Sequence, residues 1–88
     1  MSRLIPAAER IARAHALIQK ARDLPVPPDI GPRDFSFVAQ VKDLLQQARD
    51  LVKFIPYTPS ATPEMKSEVA AINKETALAE KEILHPSQ

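Results

Sequence analysis

Apolar residues recur at spacings of three and four in three separate stretches of this 88-residue chain, and prolines stand between the stretches. In the first stretch Leu4, Ala7, Ile11, Ala14, Ile18 and Ala21 fall on one helical stripe, which predicts a helix over about 6–24. Pro6 suits the first helical position, where its missing N–H costs nothing. Pro25, Pro27 and Pro28 end the helix, because the residue before a proline is pushed out of the α region. The linker that follows, residues 25–32, should be extended and stiff.

The second stretch, about 34–55, is the most apolar. Val38, Val41, Leu45, Ala48, Val52 and Ile55 form one seam, and Phe37, Leu44 and Leu51 form another beside it. A face that wide predicts a helix packed on both of the others. Asp34 is the expected N-cap and Pro56 the stop. The third stretch, about 62–84, opens on Thr62-Pro63-Glu64, a cap, a first-turn proline and an acid at the positive end of the helix dipole. Met65, Val69, Ile72, Thr76, Ala79 and Ile83 follow as its seam, thin in the middle, and Pro86 should end it.

Three helices joined by short proline-rich linkers predict an all-α fold, an antiparallel three-helix bundle in which residues 1–88 form a single domain. Its main rival is a four-helix arrangement completed by a second copy or by a partner's helix. The scarcity of glycine (one residue, Gly31) argues against a hairpin-rich β fold.

One block is written nearly twice. Leu17-Ile18-Gln19-Lys20-Ala21-Arg22-Asp23-Leu24 recurs as Leu44-Leu45-Gln46-Gln47-Ala48-Arg49-Asp50-Leu51, identical at six of eight positions. Leucine, glutamine, alanine and arginine are all strong helix formers, so two helices of similar role can converge on such a block. Yet a carboxylate in a last helical turn opposes the dipole unless it has a partner. The paired Arg-Asp is therefore expected to contact another helix or another protein.

Charge sharpens the picture. Residues 1–33 carry six basic side chains against three acidic, and residues 61–88 carry three basic against five acidic. A basic first helix and an acidic third one can lie side by side. Each exposed pair contributes only ~0–1 kcal/mol, so the effect selects an arrangement more than it stabilises one.

Composition removes most chemistry. Without cysteine there are no disulfides, thiolate metal sites or cysteine nucleophiles. His15 and His85 are the only histidines, and neither stands at i, i+4 from a second plausible ligand, so no metal site is expected. No phosphate loop or nucleophile elbow is present, and no cofactor or enzymatic activity is expected. The segment Met1–Pro6 lacks the apolar run of a signal peptide, and no stretch approaches a membrane span. An intracellular home, cytoplasmic or nuclear, is the expectation. Arg3, Arg10 and Arg13 fall roughly along one face, but a net charge of +1 argues against a phosphate binder, and a solvated face accounts for them.

What remains is a surface for another protein. All four aromatics, Phe35, Phe37, Phe54 and Tyr57, lie on or just beyond the second helix. Phe35, Phe54 and Tyr57 are the expected anchors at the rim of a groove, with Arg49 and Asp50 setting polar register for a helix or short linear segment. Homo-oligomerisation through the wide second helix is the alternative, and a nucleic-acid accessory role through the basic first helix a more distant one. Thr58-Pro59 and Thr62-Pro63 match the minimal proline-directed phosphorylation pattern, and a phosphate on Thr62 would strengthen a helix start.

Overall fold

The computed structural model describes residues 6–85. Among them stand three α-helices and two short 3-10 turns, with no strand: α1 (Ala7–Asp23), α2 (Phe35–Val52) and α3 (Pro63–Leu84). The three helices pack on one another as a three-helix bundle, α1 and α2 most extensively, with α3 lying against both. Leu4 and Pro86, expected to begin the first seam and to end the third helix, lie outside the described residues.

The caps follow the sequence closely. Asp34 accepts from the Phe37 N–H at 3.0 Å, and Thr62 accepts from the Met65 N–H at 3.1 Å. Each satisfies one of the donors that a helix start leaves unpaired. Pro6 sits one position earlier than expected, as the residue before α1; its carbonyl receives the Arg10 N–H at 3.0 Å.

Two boundaries differ from the periodicity. The second helix ends at Val52, not at residue 55, and Ile55–Tyr57 form a 3-10 turn. Pro56 explains this, since it has no N–H to donate to the Val52 carbonyl four residues back. Nor is the first linker simply extended. The Gly31 N–H reaches back to the Pro27 carbonyl at 2.9 Å, and Gly31–Arg33 curl into a 3-10 turn. Gly31 has φ 77°, the left-handed region that glycine enters without strain.

The core is a ladder of small and branched side chains. α1 buries Ile11, Ala14, Ile18 and Ala21 of its expected stripe, and Ala7, in its first turn, is half-buried. α2 buries Phe37, Val41, Leu45, Ala48 and Val52, and Ile55 follows from the turn beyond it. Phe37 takes the place expected for Val38, which is half-buried. α3 buries Val69, Ile72, Thr76, Ala79 and Leu84. Leu84 replaces Ile83 in the last turn, where it shares a recess with Val38 and Lys42 at the start of α2. Thr76 is the one fully buried polar side chain among the described residues, and its hydroxyl donates to the Asn73 carbonyl at 2.8 Å. With its own helix satisfying the hydroxyl, the seam closes on a residue that reads as polar.

Ion pairs join the helix edges. Arg22 bonds Glu82 at 2.7 Å, Arg49 stands 3.6 Å from Glu80, and His15 stands 3.9 Å from Glu75. The acidic third helix thus lies against the basic first one, as its charge predicts, and takes a cation from α2 as well.

Candidate interaction groove

The twice-written block occupies matching environments in α1 and α2. Ile18 and Leu45 are buried, Ala21 and Ala48 are buried, and the flanking leucines 17, 24, 44 and 51 are half-buried. Gln19 donates to Asp23 and Gln46 donates to Asp50, each at 2.9 Å and four residues apart on the outer surface. Both arginines turn to α3 and meet glutamates two positions apart, Glu82 and Glu80. Each Asp therefore has its partner within its own helix, while each Arg supplies the contact with another helix.

On the outer side of the α1–α2 pair runs a groove of about 620 Å³. Ala16, Leu17 and Leu51 supply its apolar surface. Arg10, Arg13 and Lys20 come from α1; Gln47 and Asp50 come from α2, and no α3 residue takes part. Helical spacing explains the α1 side, because residues 10, 13, 17 and 20 share one stripe at intervals of three, four and three. Arg10 donates to the Leu51 carbonyl at 3.3 Å, which ties the start of α1 to the last turn of α2. Arg13 pairs with Glu9 one turn earlier, and Lys53 stands 3.6 Å from Asp50.

A second recess of about 380 Å³ continues the groove, since Arg10 and Leu51 line both. Pro6, Ala7, Phe54, Ile55, Thr58 and Ser60 complete it. The Phe54 ring is 67 % exposed and carries Lys53 Nζ 5.1 Å from its centroid.

The residues expected to form one rim do not share one place. Phe54 lines the recess and Asp50 the groove. Tyr57, 83 % exposed, lines neither, and Arg49 faces α3. Phe35 stands at the opposite end of α2, about 28 Å from Phe54 at 1.5 Å per residue, and cannot share an anchor site with it. Of the groove residues, Arg10 and Arg13 were expected on a solvated face, and Ala16, Leu17, Lys20 and Gln47 were not expected at a partner surface. Their signal was the basic stripe interrupted by Leu17, a leucine set just off the buried seam.

Thr62 is occupied as the α3 cap, and the Thr58 hydroxyl donates to the Ile55 carbonyl at 2.8 Å. Among the described residues no group of three or more His, Asp or Glu is placed to hold a metal ion, and no helix is long and apolar enough to cross a membrane. Fold and groove together define a small helical bundle with one solvent-open, basic-edged apolar furrow. Comparison with protein-family models, with curated proteins and with solved structures finds no match for this chain.

Proposed function

We propose that this chain is a non-enzymatic interaction module that holds a helix or short linear segment of another protein in the furrow between α1 and α2. One observation carries the reading: Leu17 and Leu51 are left half-buried on the face of the α1–α2 pair that α3 does not cover. The Phe54 recess extends the same furrow and supplies an aromatic anchor, a residue type enriched where partners bind. The furrow's one carboxylate, Asp50, is held by Gln46 and Lys53, which suits a rim contact and not proton transfer.

The test is selection of a displayed library of 14-residue segments on the purified protein, followed by rebinding to the Leu17→Lys variant. Leu17 is half-buried, so the folded variant is checked by its helical circular dichroism. Segments whose affinity falls at least tenfold on Leu17→Lys support the furrow. Recovery of none, or of segments indifferent to Leu17→Lys and Phe54→Ala, defeats it.

Self-association is the second reading, favoured by Val26, Ile30 and Phe35, which stand exposed around the α1–α2 connection. Light scattering on a sizing column across a hundredfold range of concentration separates the two. A mass that rises with concentration and falls back on Phe35→Ala assigns that end of the bundle to a second copy.

A further inference from the structure

We infer that the segment held in the furrow is an acidic amphipathic helix of three to four turns. The inference rests on the docking reading above and adds the chemistry of its occupant.

The first ground is what already covers the other face. The α1–α2 pair holds α3 there, a helix that sets Ile72, Thr76 and Ala79 into the core and presents Glu75, Glu80 and Glu82 to His15, Arg49 and Arg22. An apolar stripe flanked by glutamates is thus a segment this pair of helices demonstrably accepts. The outer face offers the same combination, half-buried Leu17 and Leu51 beside a basic edge.

The second ground is charge. Three cations, Arg10, Arg13 and Lys20, line the furrow against one carboxylate, Asp50, and with the bonded neighbours Glu9, Asp43 and Lys53 counted the surroundings keep a net of +1. The excess lies on the α1 edge, where Lys20 meets no carboxylate within ion-pair distance among the described residues. A basic partner would meet that edge with like charge, which costs affinity as surely as a matched charge adds it.

Length follows from the lining. Arg10 to Lys20 covers about 15 Å along α1, and Ala7 to Lys20 about 20 Å, or roughly 10–14 residues of a docked helix. Such a helix would complete a four-helix arrangement with α3 and its occupant on opposite faces of the α1–α2 pair.

Two fluorescein-labelled 14-residue peptides test this by fluorescence polarisation. Both carry leucines at spacings of three and four; one has glutamate at the flanking positions and the other lysine. The acidic peptide should bind at least about tenfold tighter, and Arg13→Gln/Lys20→Gln should erase most of the difference while leaving the thermal midpoint nearly unchanged. Raising the salt from about 50 to 500 mM should weaken the acidic peptide alone. Equal affinities that both vanish on Leu17→Lys would overturn the acidic preference and leave the docking furrow standing. Failure of both peptides to bind, or binding indifferent to Leu17→Lys, would overturn both. If the free protein were a dimer that the acidic peptide dissociates, the furrow would belong to a second copy and the inference would fall.

Discussion

Arg22 and Arg49 hold the same place in the repeated block, yet replacing each by methionine should move stability in opposite directions. Arg22 Nη1 bonds Glu82 at 2.7 Å, in a pair whose glutamate is more than half exposed. An exposed pair of this kind is worth about 0.2–1 kcal/mol, so Arg22→Met should destabilise by that much. Arg49 stands farther from Glu80, at 3.6 Å, and both side chains are about two-thirds covered. Its Nε is buried and has no hydrogen-bond partner among the described residues. Leaving a buried donor unsatisfied costs about 1–3 kcal/mol. Arg49→Met removes that donor, keeps the aliphatic stem packed, and leaves Glu80 able to reach water. The loss of the pair, at most about 1 kcal/mol, is outweighed, and the net is about 0–2 kcal/mol of stabilisation. In a domain of this size 1 kcal/mol shifts the thermal midpoint by about 4–8 °C. Thermal and urea melts of the two variants read the difference directly. If Arg49→Met lowers the midpoint as much as Arg22→Met does, the Nε is satisfied in solution and the reasoning fails.

Leu45→Ala deletes a fully buried side chain at the centre of α2, where α1 and α3 leave little freedom to collapse, and should cost about 2–5 kcal/mol. A domain this short has stability of that order, so circular dichroism should show a largely unfolded protein at 37 °C. Thr76→Val exchanges a buried hydroxyl, bonded only to the Asn73 carbonyl, for a methyl group. It should be neutral or stabilise by up to about 1 kcal/mol, and a loss above 1 kcal/mol in urea would mean the hydroxyl has a further partner. Thr62→Ala removes the cap at Met65 and should cost about 1 kcal/mol; amide exchange faster over the first turn of α3 than over its middle would localise the effect.

Most of the fold was legible because the seams are long and the helix starts are chemically marked. Ile11, Ala14, Ile18 and Ala21 were readable from spacing alone, as were the caps Asp34 and Thr62. Periodicity could not place the ends of the seams. Whether Phe37 or Val38, and Ile83 or Leu84, enters the core depends on which neighbour each terminal turn meets, and that is a tertiary fact. The site was less legible for a related reason. Anchor residues were sought among aromatics because they are large, but Phe35 and Phe54 lie at opposite ends of one helix, and a helix does not bring its ends together. Leu17 is the residue that lines the candidate furrow. It is a leucine one step off the seam, and only the packing of α1 on α2 shows that this step leads to an outer furrow and not to α3.

The repeated block also explains why one face of the α1–α2 pair is filled and the other open. In both copies Ala21 and Ala48 enter the core beside Ile18 and Leu45, the arginines reach α3, and each Gln holds its own Asp, while of the shared leucines Leu17 and Leu51 line the furrow. The alanines and arginines fix the helix pair and hold α3, and the shared leucines give the open face its apolar floor. The furrow draws its positive charge from places where the copies part company. Lys20 answers to Gln47 within the block, and Arg13 answers to Gln40 at the same offset before it. Gln47 is exposed, so exchanging it for Lys should leave stability within about 0.5 kcal/mol, as surface changes usually do. The same exchange would give the α2 edge the cation that α1 already has, and should tighten the acidic peptide further. A Gln47→Lys variant that melts normally yet binds the acidic peptide no better would show that the furrow's charge is not what its occupant reads.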